Sequence, residues 1–415
     1  MDKTPEELRR EREQRIVDAI NLRVPDRVPV LAGMGYFPAT YTGITFETAY
    51  YDFDKWLEAC KKTLQDFQPD MTGAQGFFPG TFLELIKPKG TKWPGHGVSP
   101  YHGHQSIELE ILKADEYDIF IRDPSDFMLR YYTSRSCETS EPLEKLPPLS
   151  SLGQGYGGAL ALAEALIIPE VAEAIETLKK AGQELARWRS KMMEFNREIE
   201  KFGFPSMGGG FAMVPFDAVS HSLRGMHGTM IDMYRQPDKL LELCDKLLEM
   251  TLAAPLPTPN KYGHVRAGMP LTRGSDDFMS LKHFEIFYWP YLKKLVQHFA
   301  DNGMYSSIFF EGNWDTKVEY FLEFPKGKVL AHFDNTDIFR AKDILKGHVA
   351  IQGNVPSSLL GTGTVDEVKA YCKKLIDVVG KDGGYILSPR SSTDEVKPEN
   401  LKAMIEFTKE YGVYN

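Results

Sequence analysis

The sequence predicts an α/β protein built as a closed (β/α)8 TIM barrel, with an N-terminal helix and an elaborated middle insertion. Three observations lead there. The last third of the chain repeats one device four times: a short apolar run, a polar tip, then an amphipathic helix. Strands and helices alternating in this way make parallel βαβ units. Over the whole chain the strand-like runs number roughly seven to nine, around the eight of a closed barrel. No low-complexity linker divides the sequence, so residues 1–415 read as one domain, with about 80–205 as an elaboration of the barrel.

The elements follow in order. Thr4 is placed to cap a helix, Pro5 suits its first turn and Glu7 can reach back to the cap. That helix should run to about Leu22 and stop before Pro25. The apolar run 28–32 then opens the barrel and leads into the loop Gly33-Met34-Gly35-Tyr36-Phe37-Pro38. A helix over 54–67 and a short segment at 71–74 continue the alternation.

Residues 80–205 are less regular. The stretch 87–101 is rich in Gly, Pro and Lys, a β-like run covers 106–112, and an acidic turn follows at 114–118. After a loop of Pro, Ser, Leu and Gly over 142–158, a long helical stretch spans 159–203, broken at Pro169. Alternation resumes with the run 211–214, a helix over 230–252, a run at 266–271 and a helix over 284–302. The four closing units begin with the runs 307–310, 328–331, 349–353 and 385–388, and a last helix covers 398–411.

Bulk properties narrow the function. The net charge of −9 argues against a broad nucleic-acid footprint and against anionic membranes. No stretch approaches the roughly 18 to 20 apolar residues of a spanning helix. The charged residues 1–23 contain no apolar core of a signal peptide, so a cytoplasmic protein is expected. Cys60, Cys137, Cys244 and Cys372 include no CxxC pair and read as buried structural thiols.

In a closed barrel, residues at the carboxyl ends of neighbouring strands share one mouth, where the chemistry sits. The four tips carry Glu311, His332 with Asp334, Asn354, and Arg390 with Ser391. His332 and Asp334, two apart on an extended strand, point to the same side. With Glu311 they offer one nitrogen and several carboxylate oxygens, which suits a zinc ion keeping an open position. The alternative is a neutral histidine held by the two acids without metal. Helix capping after Glu311 falls to Asn313 or Asp315, ahead of a helix over 316–324.

Other constellations are weaker. Asp276 and Asp277 follow Arg273 at another strand end; adjacent acids point different ways, so at most one serves the site and the other caps the helix or pairs with Arg273. Asp217 and His221, four apart, share a face if helical, either orienting a substrate group or stabilising a turn. The G-x-G-x-x-G match at Gly153–Gly158 follows no strand and does not make a dinucleotide site. His96, His102 and His104 lie in a turn-rich segment and read as surface or lid residues. Aromatics and methionines near the tips, among them Tyr36, Phe37, Met207, Phe211 and Trp314, suggest a pocket for a flat, apolar ligand rather than a polyphosphate.

Several stretches resemble the uroporphyrinogen decarboxylase superfamily. Val24-Pro25-Asp26-Arg27-Val28-Pro29-Val30 is similar to the approach to its first strand, and Tyr234-Arg235-Gln236-Pro237-Asp238-Lys239 to one of its helix starts. Ile351-Gln352-Gly353-Asn354-Val355 with Gly361-Thr362 resembles its seventh unit, and Pro398-Glu399-Asn400-Leu401 its last helix. The resemblance spans nearly the whole chain, most specifically 205–415, and implies a TIM barrel.

True uroporphyrinogen decarboxylases carry an arginine-rich loop after the first strand; here the loop 33–38 has no cation. The coenzyme M methyltransferases of the superfamily bind zinc with His-x-Cys and a later Cys; here stand His332-Phe333-Asp334, with Arg390 and Ser391 near the late position. The corrinoid-linked O-demethylases are more similar, at Ala114-Asp115-Glu116-Tyr117-Asp118 with Asp123-Pro124-Ser125-Asp126-Phe127, at Phe309-Phe310-Glu311-Gly312 and at Ala331-His332-Phe333-Asp334.

This last resemblance implies transfer of methyl from a methoxylated aromatic compound to the cobalt(I) of a partner corrinoid protein. Zinc in that group is held by acids and a histidine, and Glu311 and His332 look like two such positions. The chain has no Asp-x-His-x-x-Gly sequence, so the corrinoid must arrive on another protein. The expected catalytic residues are Glu311, His332 and Asp334, which are also the expected metal ligands. The expected substrate contacts are Tyr36, Phe37, Met207, Phe211, His221, Asp276, Trp314 and Arg390. Without metal, a protonated His332 or a raised-pKa carboxyl acts as the acid. A homodimer is allowed. Alternatives are a decarboxylase or lyase on a smaller carboxylated substrate, gripped by Arg390 or Arg273, and a barrel that only binds a corrinoid protein or cofactor.

Overall fold

A computed structural model describes residues 3–72, 77–153, 155–205 and 209–414. Six parallel strands lie side by side in chain order: Gly210–Phe211, Arg266–Leu271, Tyr305–Phe310, Val329–Phe333, Ala350–Gln352 and Tyr385–Ile386. Val30 bridges in parallel to Leu387, and Leu31 to Met71, which adds two further positions beyond the last strand. Eight strand positions therefore follow one another as in a (β/α)8 barrel. The four repeated units of the sequence supply half of them.

Side-chain alternation sorts the strands into an outward and an inward row. Outward residues such as Ala267, Met269, Ile308, Phe310, Ala331, Phe333 and Ile351 are buried in the large core beneath the surrounding helices. Inward residues Leu31, Met71, Tyr305, Leu330, Ala350 and Ile386 form a second core with Ile16, Val17, Ala19 and Ile20 of the first helix, Pro5–Ile20. That helix plugs the amino end of the barrel. Its start is the expected capping box: the Thr4 N–H donates to the Glu7 carboxylate at 2.8 Å, and the Glu7 N–H to the Thr4 hydroxyl at 3.3 Å. Arg266 grips Glu13 of this helix through two hydrogen bonds of 3.0 and 2.9 Å. The floor is closed, so chemistry belongs to the other end.

Between Met71 and Gly210 the chain forms the insertion. A three-stranded sheet joins Gly97–Val98, Thr91–Pro94 and Gln105–Ser106. Helices Tyr156–Leu166 and Pro169–Lys201 meet at Pro169, where the sequence places the break. The β-like run from 106 is a strand only at its first residue, and Ile111 and Leu112 instead donate their backbone N–H groups to the Leu223 carbonyl. The helix read over 230–252 is two, Met226–Arg235 and Pro237–Ala253, because Pro237 has no N–H to continue the first and suits the opening turn of the second. Cys60, Cys244 and Cys372 are buried free thiols and Cys137 is half-buried. Among the described residues no helix is long and apolar enough to cross a membrane.

Candidate active site at the carboxyl end of the barrel

Above the floor the inward row opens. Gly268, Pro270, Ser307, Phe309 and His332 are only half-buried although their outward neighbours are sealed, so a lumen remains over the floor. Pro270, Phe309, His332 and Gln352 lie in register across four strands. Phe211, paired with Gly268, belongs to the same row and is 70% exposed. The lumen is thus aromatic with polar entries.

His332 is fixed by its surroundings. Its ring lies 4.9 Å from Phe309, and its Nε2 is 3.1 Å from the Pro389 carbonyl and 3.3 Å from the Ser388 hydroxyl. A carbonyl only accepts, so Nε2 carries the hydrogen and Nδ1 the lone pair. Gln352 holds Ser388 in turn, its Nε2 donating at 3.2 Å. Burial pushes the imidazole down to about 4, against the backbone acceptors Pro389 and Arg390, which favour its charged form. His332 is therefore a neutral ring at pH 7. The expectation of a protonated His332 as general acid is corrected: desolvation is the dominant influence on the ring, and it disfavours the charge.

Glu311 and Asp334 stand one step further up, two residues beyond the register pair Phe309 and His332. Gly312, at φ +77, turns the chain back so that its N–H donates to Asp334 Oδ2 at 3.1 Å. Asn335 adds a second donor to that oxygen at 3.2 Å. Glu311 keeps access to solvent yet is crowded by the barrel rim. Desolvation first, then the Asp334 charge, raise its carboxyl above the ordinary range, while Arg273 pulls it down. A carboxyl so placed holds its proton better than a free one.

On the adjoining strands a buried network centres on Asp217, which is 0% exposed. It accepts from the Tyr288 hydroxyl at 2.5 Å, the Thr272 hydroxyl at 3.1 Å and the Arg273 N–H at 2.9 Å. The Thr272 proton is thereby committed, so His221 Nε2, 2.6 Å away, is the donor to Thr272. Burial raises the Asp217 carboxyl against these donors and the Thr272 N–H at 3.3 Å, and crowding by protein atoms together with the Arg273 charge lowers His221. Asp217 and His221 are joined through Thr272, not directly as helix neighbours. Tyr288 and Thr272 had no local sequence signal, lying 71 and 55 residues from Asp217.

Several expected contacts fall elsewhere. Tyr36 is 3% exposed, stacked between Phe46 and Phe77 with ring centroids 4.5 and 4.3 Å away, and its hydroxyl is shared with Tyr50 and His104. Phe37 is fully buried against Phe67. Trp314 is fully buried too, and its Nε1 donates to the Glu311 carbonyl at 2.8 Å. These three are core residues, since the apolar shell behind the strands needs the same ring types as a pocket; Trp314 reaches the site only by fixing the Glu311 backbone.

Asp276 turns away from the mouth. It accepts from Thr316 N at 2.9 Å, Thr316 Oγ1 at 2.6 Å and the buried Lys317 Nζ at 2.8 Å. It thereby ties down the segment leading into the short Val318–Glu323 helix, a task the sequence assigns to Asn313 or Asp315. Arg390 sits at the rim, with Nη1 on Asn335 Oδ1 at 2.8 Å. Met207 lies outside the described residues. Gln352 and Ser388 escape a sequence reading that watches only strand tips, although a glutamine inside an apolar run is a visible signal.

Among the described residues no three His, Cys, Asp or Glu side chains gather closely enough to hold a metal ion. Glu311, His332 and Asp334 share the mouth without sharing a centre, because His332 turns toward Ser388 and the acids lie a step above it. The three residues do not fit a zinc site.

Comparison with known proteins agrees with this architecture. Residues 167–411 match the family model described as uroporphyrinogen decarboxylase (URO-D). A uroporphyrinogen decarboxylase from Flavobacterium johnsoniae is 23% identical over 328 residues, covering 71% of this chain and 90% of that protein. One from Chlorobium limicola is 25% identical over 255 residues, covering 59% and 68%. Among solved structures, a methyltransferase from Methanosarcina mazei superposes with a TM-score of 0.59 at 15% identity, covering 96% of this chain and 98% of that one. That likeness is one of fold.

Proposed function

The chain belongs to the uroporphyrinogen decarboxylase family, and we propose that within this enzyme family it is the methyltransferase component of an O-demethylase. It would take methyl from a methoxylated aromatic compound and hand it to the cobalt(I) of a separate corrinoid protein docked over the mouth, in the cytoplasm. One observation carries the reading: the Glu311 and Asp334 carboxyls stand at the ends of adjacent strands, one step above the half-buried, inward-facing Phe309. The cation-free loop 33–38 speaks against a substrate with many carboxylates.

The reaction asks for one thing that this chain can supply. As methyl leaves the ether oxygen, an aryloxide develops, and its charge must be met in the transition state. Glu311 gives its proton from Oε to that oxygen, so the products are a phenol and the methylated acceptor. Asp334 is a positioning residue: its charge keeps the Glu311 proton in place, and its bond to Gly312 holds the tip. His332 presents a neutral ring whose Nδ1 can accept from a hydroxyl in the lumen. Phe309 and Phe211 receive the flat ring and exclude water.

A second reading, decarboxylation of a smaller carboxylated substrate, draws support from Arg273, which has no acidic partner among the described residues, and from the decarboxylases among the relatives. Incubation with 4-methoxybenzoate and reduced corrinoid separates the two. Appearance of the methylated corrinoid supports the first, and cobalt-independent release of carbon dioxide the second.

A further inference from the structure

We infer that Arg273 is a carboxylate anchor, and that the methyl ether handled at this mouth is therefore an aromatic acid of the methoxybenzoate class. The second half of this statement rests on the proposed methyltransferase reading; the first does not. Arg273 follows the Arg266–Leu271 strand, and three restraints hold it. Its backbone N–H is tied to the buried Asp217 at 2.9 Å, its Nε donates to Ser220 Oγ at 3.0 Å, and its guanidinium carbon lies 5.0 Å from the centroid of the Phe278 ring. Nε and one face are thus committed, and the two terminal nitrogens make no hydrogen bond or ion pair among the described residues.

Most other shielded arginines of this chain grip an acid, while Arg12 and Arg390 bond neutral acceptors instead. Arg130 grips Asp126, Arg135 grips Glu116 and Arg224 grips Asp232, at 2.6, 2.6 and 2.7 Å. Charged groups withdrawn from water normally find such partners. Arg273 is half-buried, close enough to Glu311 for each to feel the other, and forms no ion pair among the described residues. A rigid guanidinium fork with nothing in it matches the two oxygens of a carboxylate. Ordering it beforehand removes part of the entropic cost of binding.

A ligand-observed NMR titration of the full chain with benzoate and with its neutral isostere benzamide tests the anchor. Benzoate should bind about tenfold or more tightly than benzamide. Arg273→Gln should abolish that preference, and Arg273→Lys, which keeps the charge but not the fork, should retain part of it. Should Arg273→Gln fail to fold by circular dichroism, Ser220→Ala serves instead: freeing Nε should weaken benzoate roughly two- to fivefold and leave benzamide unchanged. Equal binding of the two ligands by the unaltered protein, no binding of benzoate, or a preference that survives Arg273→Gln or is untouched in Ser220→Ala overturns the inference. A benzoate preference without methyl transfer from methoxybenzoate removes the methyltransferase reading and leaves the anchor standing. Methyl transfer from neutral anisole as readily as from methoxybenzoate does the reverse.

Discussion

Asp334 stands beside Glu311 at the carboxyl ends of adjacent strands, and its negative charge helps to keep the Glu311 proton on. The pair divides the labour: Asp334 Oδ2 is taken up by the Gly312 N–H, while the Glu311 carboxyl has no such donor among the described residues. An acid that works in its protonated form loses activity as pH rises through its pKa. Asp334→Asn keeps an acceptor for Gly312 but removes the like charge, so the Glu311 pKa falls. The alkaline limb of the rate profile should then move to lower pH. Glu311→Gln should cost about 10²- to 10⁴-fold in rate. A limb that stays where it was in Asp334→Asn would mean that another group supplies the proton.

Asp276 is bound to Thr316 and to the buried Lys317, away from the mouth. Asp276→Asn should lower stability in urea by about 2–4 kcal/mol, because the Lys317 ammonium loses its only ion pair among the described residues. The substrate KM should stay within about twofold. A raised KM with unaltered stability would return Asp276 to the list of substrate contacts.

His332 gives a signature in stability. Its folded value, about 4, lies below the ordinary 6.5 of an unfolded chain. Between those values the unfolded state binds more protons, so stability is full above about pH 6.5 and is lost as pH falls toward 4. The loss, lessened by the partial exposure of the ring, is on the order of 2 kcal/mol. Denaturation of His332→Gln across this range should show a correspondingly flatter curve, and an unchanged slope would place the titration elsewhere.

What the sequence disclosed follows from physics that acts locally. Period-two alternation places His332 and Glu311 on inward rows, and the Thr4–Glu7 box and Pro169 mark helix ends that the structure reproduces. The aromatic residues did not sort themselves. Trp314 and Phe37 in the core and Phe309 and Phe211 in the lumen have the same chemistry, and only the register of strands tells them apart. Nor did the Asp217 hub show itself, since its partners come from a different βα unit, and a buried carboxylate looks on paper like an exposed one. The triad was legible as neighbours at one end of the barrel but not as three separately engaged groups.

The most direct test is spectroscopic: the purified chain is mixed with 4-methoxybenzoate and cobalt(I) corrinoid, free or on its carrier protein, and the cobalt absorbance is followed below and above neutral pH. The account predicts conversion to the methylated corrinoid with one phenol formed per methyl transferred, faster on the acid side and nearly abolished by Glu311→Gln. Cobalt that remains unmethylated while the aromatic is consumed, or a rate indifferent to Glu311→Gln, would contradict it.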